Sequence, residues 1–304
     1  MKVMWKAVAL SGAFLSAQAY ALNVPGPLVD PAWVNAHKGE IKLLDIGKKK
    51  TTSKLPGAIP VDYKKVRVKG TIEGVKAKGL VPSKEDWQKM VRSWGINNGD
   101  AVVLTYAGKG FGDATQATRI YWQFKYYGYD NVAIMNGGNK AWKKAKLPME
   151  KKGHAASVKP GNFTAKDADT SIYASTDEVA SAAKNGYQLL DSRDMGLYLG
   201  TWHKGSVKAA GHIPGAKFFG VTLNTSAKPA KFFDAETYKK AAAAINVDLS
   251  KPSIVYCNTG HLATGNWFIL HEILGNKKVK LYDGSMHLWT LHGKPVERFR
   301  WNNK

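Results

Sequence analysis

Apolar residues fall along this chain in short unbroken blocks separated by helix-periodic stretches. Leu189-Leu190, Ser253 to Tyr256 and Lys278 to Tyr282 read as buried strands, while Ala235 to Ala244 and Ala263 to Leu274 read as helices. Strands alternating with helices predict an α/β fold of βαβ units, each half a mainly parallel sheet with helices on both faces. In such sheets ligands sit where the carboxyl ends of strands give way to loops. Residues just after the central strand of each half are therefore the first place to look for chemistry.

The pattern occurs twice. Leu43-Leu44-Asp45 recurs as Leu189-Leu190-Asp191, Pro56-Gly57-Ala58 as Pro214-Gly215-Ala216, and the apolar run Ala101 to Tyr106 as Ser253 to Tyr256. Asn136-Gly137-Gly138 with Trp142 recurs as Asp283-Gly284-Ser285 with Trp289. Four motifs in one order, each shifted by about 150 residues, mark a tandem duplication. Two domains are expected, at residues 22–150 and 167–304, joined by a polar Gly- and Pro-containing linker at 151–166.

Met1 to Ala21 stands apart, with Lys2 and Lys6, an apolar run from Ala7 to Ala17, and Ala19-Tyr20-Ala21 at its end. That layout is a secretory signal peptide. The run is shorter than the roughly 20 residues of a spanning helix, and no later stretch reaches that length. The expected mature protein is periplasmic or secreted, with no integral membrane segment.

Composition narrows the classes further. At 44% hydrophobic and 22% charged residues the chain can bury a core, which excludes disorder and fibrous repeats. Lys+Arg 45 against Asp+Glu 23 gives a net charge of +22 and a surface attractive to anions. The basic runs Lys48-Lys49-Lys50 and Lys143-Lys144 are scattered, and an exported chain rarely meets nucleic acid, so no nucleic-acid partner is expected. A single cysteine permits no intramolecular disulfide and no multi-cysteine metal cage. His271-Glu272 lacks the second histidine of a zinc-protease helix, and His287 and His292 fall off one helical face. No metal and no cofactor are expected.

The lone thiol follows the strand Ser253 to Tyr256 and opens the loop Cys257-Asn258-Thr259-Gly260-His261-Leu262 ahead of a helix. Successive backbone N–H groups curling toward a helix N-terminus favour an anion at the sulfur, the reactive thiolate form. Gly260 can adopt the positive φ that a tight loop requires. A small buried filler is the competing reading, since most free cysteines are that. The repeat weighs against it: the equivalent of Tyr256-Cys257 in the first half is Tyr106-Ala107, followed by the glycine-rich Gly108 to Gly112. One half carries a nucleophile and the other does not.

In these residues the chain resembles the rhodanese (thiosulfate sulfurtransferase) superfamily, in the two-domain form shared with mercaptopyruvate sulfurtransferases. The resemblance rests on Asp191-Ser192-Arg193, Tyr198 to Thr201, Gly211 to Ala216, the Cys-x-x-Gly-x-x-Ala loop from Cys257 to Ala263, and Tyr282 to Ser285 with Trp289. In the first half, Arg119 to Phe124 and Asn136-Gly137-Gly138 look like the catalytically silent domain.

The resemblance implies transfer of sulfane sulfur through a Cys257 persulfide, from a small-molecule donor such as thiosulfate to cyanide or a thiol. This is covalent catalysis in two steps, with the amides of Asn258, Thr259, Gly260, His261 and Leu262 as donors to the anion. The six-residue loop lacks the arginine ending of the related phosphatases. Arg193 is implied as the donor-binding residue through its planar fork, against the alternative of an ion pair with Asp191 or Asp194. Asp191 is expected to support loops rather than react. Asn258 and Thr259 match neither the basic pair of thiosulfate-type enzymes nor the Gly-Ser of mercaptopyruvate-type ones, so the donor stays open. His261 could add positive potential, donate a proton, or face solvent. A 3-mercaptopyruvate sulfurtransferase and a non-catalytic persulfide carrier are the alternative functions. A Cys–His hydrolase built on His261, His271, His212 or His287 lacks any protease signature around the cysteine.

Overall fold

Unbroken Val, Ile and Leu runs build two parallel sheets in a computed structural model that describes residues 22–155 and 157–299. The expected signal peptide at 1–21 lies outside the described residues. The first half runs β1 (Leu28–Val29), α1 (Pro31–Ala36), β2 (Ile41–Gly47), β3 (Ile59–Asp62), β4 (Val68–Ile72), β5 (Val75–Leu80), α2 (Lys84–Ser93), β6 (Ala101–Thr105), α3 (Phe111–Tyr126), β7 (Val132–Met135) and α4 (Gly138–Lys144). Its sheet has the order β1-β7-β6-β2-β3, with every pairing parallel. The second half runs α5 (Thr176–Ala180), β8 (Gln188–Asp191), α6 (Met195–Leu199), β9 (Lys217–Phe218), α7 (Ala235–Ala243), β10 (Ser253–Tyr256), α8 (Ala263–Trp267), β11 (Val279–Leu281) and α9 (Ser285–Leu291). Its sheet order, β11-β10-β8-β9, repeats β7-β6-β2-β3, and it too is parallel throughout. The duplicated motifs therefore occupy duplicated positions. Central strands β6 and β10 are buried along their whole length, as a sheet covered on both faces requires.

The two halves share a core. Every residue of α3 from Ala114 to Phe124 is buried, because one side faces its own sheet and the other faces α8, which is also buried throughout. That explains why α3 lacks the polar stripe of a surface helix. Thr118 and Thr264 hydroxyls meet at 2.8 Å, and Tyr121 donates to Glu272 Oε2 at 2.6 Å across the same boundary. Burial would raise the Glu272 carboxyl, but His271 and Tyr121 bond it and bring it down to about 2. One cluster of buried apolar side chains runs from Leu44 in the first half to Leu281 in the second.

Three features go beyond the sequence reading. The helix expected over Ala263 to Leu274 is α-helical only to Trp267 and continues as a π-helical turn over Phe268–Ile273. The widening coincides with Trp267 stacking on His271 at 4.4 Å while its indole N–H donates to Val279 O. The linker is fastened to the first half near its end: Gly161 N–H bonds Arg92 O, and the buried Phe163 bonds Ile96 O through its N–H. A Cβ at Gly161 would stand 1.9 Å from Ile96 O, so only glycine fits there. The third is the antiparallel hairpin β4–β5, turned by Glu73 (φ 48) and Gly74 (φ 79). Its Ala77 and Leu80 enter the apolar core of the second half.

Candidate active site

Cys257 stands at the carboxyl end of β10, where the buried strand must end because α8 begins six residues on. Its side chain is 1% exposed, yet it lines a cavity of about 570 Å³ between the halves. The glycine-rich loop after β6 lines it too, through Ala107 and Lys109, as does Phe111 at the start of α3. The first half thus brings its own strand-end loop to the cavity that the cysteine lines. Asn258, Thr259, His261 and Leu262 line the same cavity.

The backbone donors divide into two sets. Cys257 N–H and Gly260 N–H both donate to Ser285 Oγ, each at 3.0 Å, and Ser285 Oγ–H donates to Tyr282 O at 2.8 Å. The amides of Asn258, Thr259, His261 and Leu262 have no acceptor among the described residues. Four N–H groups near the thiol are thus left unclaimed, the kind of donor set that can hold an anion. Gly260 is the correction: its amide is taken by Ser285 and is not a donor to a bound anion. Its φ of +69 is the left-handed value foreseen, and a Cβ there would meet Asp283 Oδ1 at 2.3 Å.

Ser285 itself was not foreseen as functional. It is fully buried at φ +51, a conformation costly for any residue but glycine. The equivalent position in the first half is Gly138, at φ +58. The second half replaces that glycine with a side chain because two loop amides need an acceptor. Ser285→Ala is therefore expected to leave both amides unpaired, costing about 2–4 kcal/mol. Denaturant unfolding checks this.

Positive charge surrounds the thiol at two depths. At the mouth, Lys48, Lys109 and Lys204 are exposed and have no ion-pair partner among the described residues. Beneath the loop lies Arg119 of α3, fully buried, donating through Nη1 to Gly260 O at 2.9 Å and pairing with Asp283. Burial alone would weaken its hold on the proton, and the Asp283 carboxylate more than offsets that, so the guanidinium stays charged and interacts with Cys257. Arg67 adds a clamp from the hairpin side, donating to Thr259 O and, at 3.0 Å, to Gly79 O. Beside it the Tyr63 hydroxyl is pushed up to about 12, first by burial and against the pull of Arg67 and Arg119.

Arg193 is a correction. Its Nε bonds both Asp191 oxygens at 2.9 and 3.1 Å, and its Nη2 bonds Asp191 Oδ2 at 2.6 Å and Gly211 O at 2.7 Å. The residue is buried and does not line the cavity. The ion-pair alternative is the one realised: Asp191, placed at the strand end by its pairing with Tyr256, takes Nε and shares Nη2 with Gly211 O, leaving only Nη1 uncommitted. Arg193 still stays charged, since Asp191 overcomes the cost of burial, and its field reaches Cys257.

His261 faces the cavity and not open solvent, with Nε2 3.1 Å from Thr115 Oγ1 and its ring 4.9 Å from Tyr63. Burial, then Arg67, Arg119, Lys48 and Lys204, hold its pKa well below the usual histidine value. A neutral imidazole adds no positive potential, so that expectation is withdrawn. The sign for stability follows. The unfolded chain takes up a proton that the folded site refuses, so stability is lost as pH falls through the ordinary histidine pKa toward the depressed one. His287, lowered by burial and by Lys78 and Lys208 against the Ser206 carbonyl, acts in the same direction. The unfolding midpoint is expected to fall between about pH 7 and pH 5.5, and His261→Gln to flatten that slope. An unchanged slope in thermal melts would contradict the neutral assignment.

A cysteine beside four unclaimed amides thus lines a cavity to which both α/β halves contribute. The chain belongs to the Rhodanese-like domain family, whose pattern it matches twice, at residues 30–145 and 175–292. It is 34% identical over 251 residues to a Saccharopolyspora erythraea protein named "Putative thiosulfate sulfurtransferase", covering 80% of this chain and 82% of that one. It is 29% identical over 294 residues to the Thermus thermophilus "Sulfur carrier protein TtuD", covering 90% and 97%. Among solved structures, SseA from Escherichia coli, described as a rhodanese-fold 3-mercaptopyruvate sulfotransferase, aligns with a TM-score of 0.71 and 21% identity over 86% of this chain and 98% of that one. That last likeness is one of fold.

Proposed function

We propose that the protein is a sulfurtransferase that carries sulfane sulfur from thiosulfate to a thiophilic acceptor on Cys257. The observation that carries the reading is the placement of the lone thiol at a cavity wall beside four unclaimed amides. In the first step the thiolate attacks the outer sulfur of thiosulfate. The donor S–S bond breaks, sulfite leaves with the electron pair, and Cys257 holds a persulfide anion. In the second step cyanide or a thiolate attacks the outer sulfur and returns the electron pair to Cys257. Lys48, Lys109 and Lys204 draw the dianion in, and the amides of Asn258, Thr259, His261 and Leu262 stabilise the charge on the terminal sulfur. Arg119 and Arg193 act from behind the loop, as fixed positive charge rather than as ligands.

The experiment is thiocyanate formation from thiosulfate and cyanide, with ping-pong kinetics and a mass gain of about 32 Da on the resting protein, one sulfur atom per Cys257 as covalent transfer requires. Absence of both would overturn the reading. A mass gain without turnover would favour the carrier reading that the Thermus relative's name suggests. Export with loss of residues 1–21 belongs to the same proposal, and N-terminal sequencing of the protein from its host tests it.

A further inference from the structure

The cavity lined by Cys257 has a neighbour. Ser206 lines both, and the second, about 550 Å³, is walled by the hairpin β4–β5 on one side and the loop at 204–208 on the other. Lys69, Lys76, Lys78 and Lys208 line it, with no acidic side chain among its lining residues. None of these four ammonium groups has an ion-pair partner among the described residues. The one acid on the hairpin, Glu73 at its turn, is committed elsewhere: it accepts Thr176 N–H and pairs with His292.

The hairpin bears a cost for this arrangement. Lys69 stands directly across from Lys78 in the antiparallel register, and Lys76 lies two residues along the same face of β5. Like charges opposed across two strands destabilise a hairpin, and a local rule broken without a compensating contact marks a functional surface. The wall is nevertheless held in place. His287 Nε2 accepts Lys78 N–H at 3.3 Å, while its Nδ1 bonds Ser206 O, tying the hairpin to the loop where the two cavities meet.

A small donor anion needs none of this, since the reaction cavity carries three lysines of its own. The occupant of the second cavity must hold several negative charges while placing sulfur at Cys257. We infer that the sulfur acceptor is an acidic polypeptide segment bearing a thiol, docked along Lys69, Lys76, Lys78 and Lys208. The inference rests on the transfer chemistry proposed above. The acceptor thiolate attacks the outer sulfur of the Cys257 persulfide. A new S–S bond forms on the acceptor, the bond to Cys257 sulfur breaks, and the electron pair returns to Cys257 with no net oxidation.

The test uses the full-length protein, thiosulfate as donor, and two synthetic peptides with one cysteine each, flanked by four glutamates or by four glutamines. Persulfide on the peptide is followed by mass spectrometry. At low salt the glutamate peptide should show a KM about tenfold lower, the sum of four modest exposed charge contacts, and the advantage should vanish at high salt. Combining Lys69→Gln, Lys76→Gln, Lys78→Gln and Lys208→Gln should erase the preference. Combining Lys143→Gln, Lys144→Gln, Lys152→Gln and Lys184→Gln, equal in charge and outside the lining of both cavities, should keep it. If the unaltered protein makes thiocyanate yet treats the peptides alike, the docking proposal falls and the sulfurtransferase reading stands. Preference surviving the cavity substitutions, or lost equally in both variants, also overturns it. If no thiocyanate forms, the transfer reading fails and this inference goes with it.

Discussion

Cys257→Ser is expected to remove thiocyanate formation altogether, a loss on the order of 10⁴-fold or more, as when a covalent nucleophile is deleted. The size follows from the chemistry. Sulfane transfer needs an atom that forms and releases an S–S bond, and a serine hydroxyl, neutral at working pH and hard, does neither. The mass gain should vanish with the turnover. Folding should survive: the side chain is small, and the cavity it lines also carries the polar side chains of Asn258 and Thr259. A cost of about 1–2 kcal/mol is expected from exchanging a buried thiol for a hydroxyl. The decisive pair of measurements is therefore turnover and unfolding midpoint on the same sample. Activity in a folded Cys257→Ser protein would sink the assignment, because the chain holds no second thiol to take over.

Much of this site was legible from the chain alone because it is locally encoded. Ser253 to Tyr256 can only be a buried strand, the residues after it can only be a loop, and the first-half counterpart Tyr106-Ala107 shows which member of that loop is special. The paired sheet orders follow from the same repeated motifs. What was not legible depends on distance. Arg119 lies 141 residues from Gly260, whose carbonyl it holds, and nothing in the helix pattern of α3 says which face meets the other half. The hairpin β4–β5 carries a local signal in Glu73-Gly74 between alternating runs, but its docking onto the second half is a tertiary fact. Arg193 illustrates a third limit. An arginine two residues after an aspartate fits a bidentate pair and a ligand contact equally well, and only the 2.6–3.1 Å distances to Asp191 decide between them.

Arg119→Met is expected to be the most destabilising single change at the site while leaving every ligand-lining residue in place. Arg119 and Asp283 are both fully buried, and Asp283 also accepts Val81 N–H at 2.8 Å, so it fastens the end of the hairpin as well. Removing the guanidinium leaves a carboxylate in a dry interior with one backbone partner, and breaking one side of such a pair costs about 3–5 kcal/mol. Against a total stability of about 5–15 kcal/mol that is a large shift in denaturation midpoint. The cation–π contact with Trp122, at 5.1 Å, is lost too. Gly260 O loses its donor, so the cradle loosens and sulfur loading should slow by about 10²-fold, the scale of a misplaced catalytic group. Adding Asp283→Asn separates the two effects. The amide oxygen can still accept Val81 N–H but carries no charge, so the double variant should regain much of the lost stability, since removing both partners of a buried pair is far milder than removing one. It should not regain the loading rate, because the Gly260 anchor and the positive charge behind Cys257 are still missing. A double variant as unstable as Arg119→Met, or one that loads sulfur at the original rate, would show that the first half supplies only packing to the loop that holds Cys257.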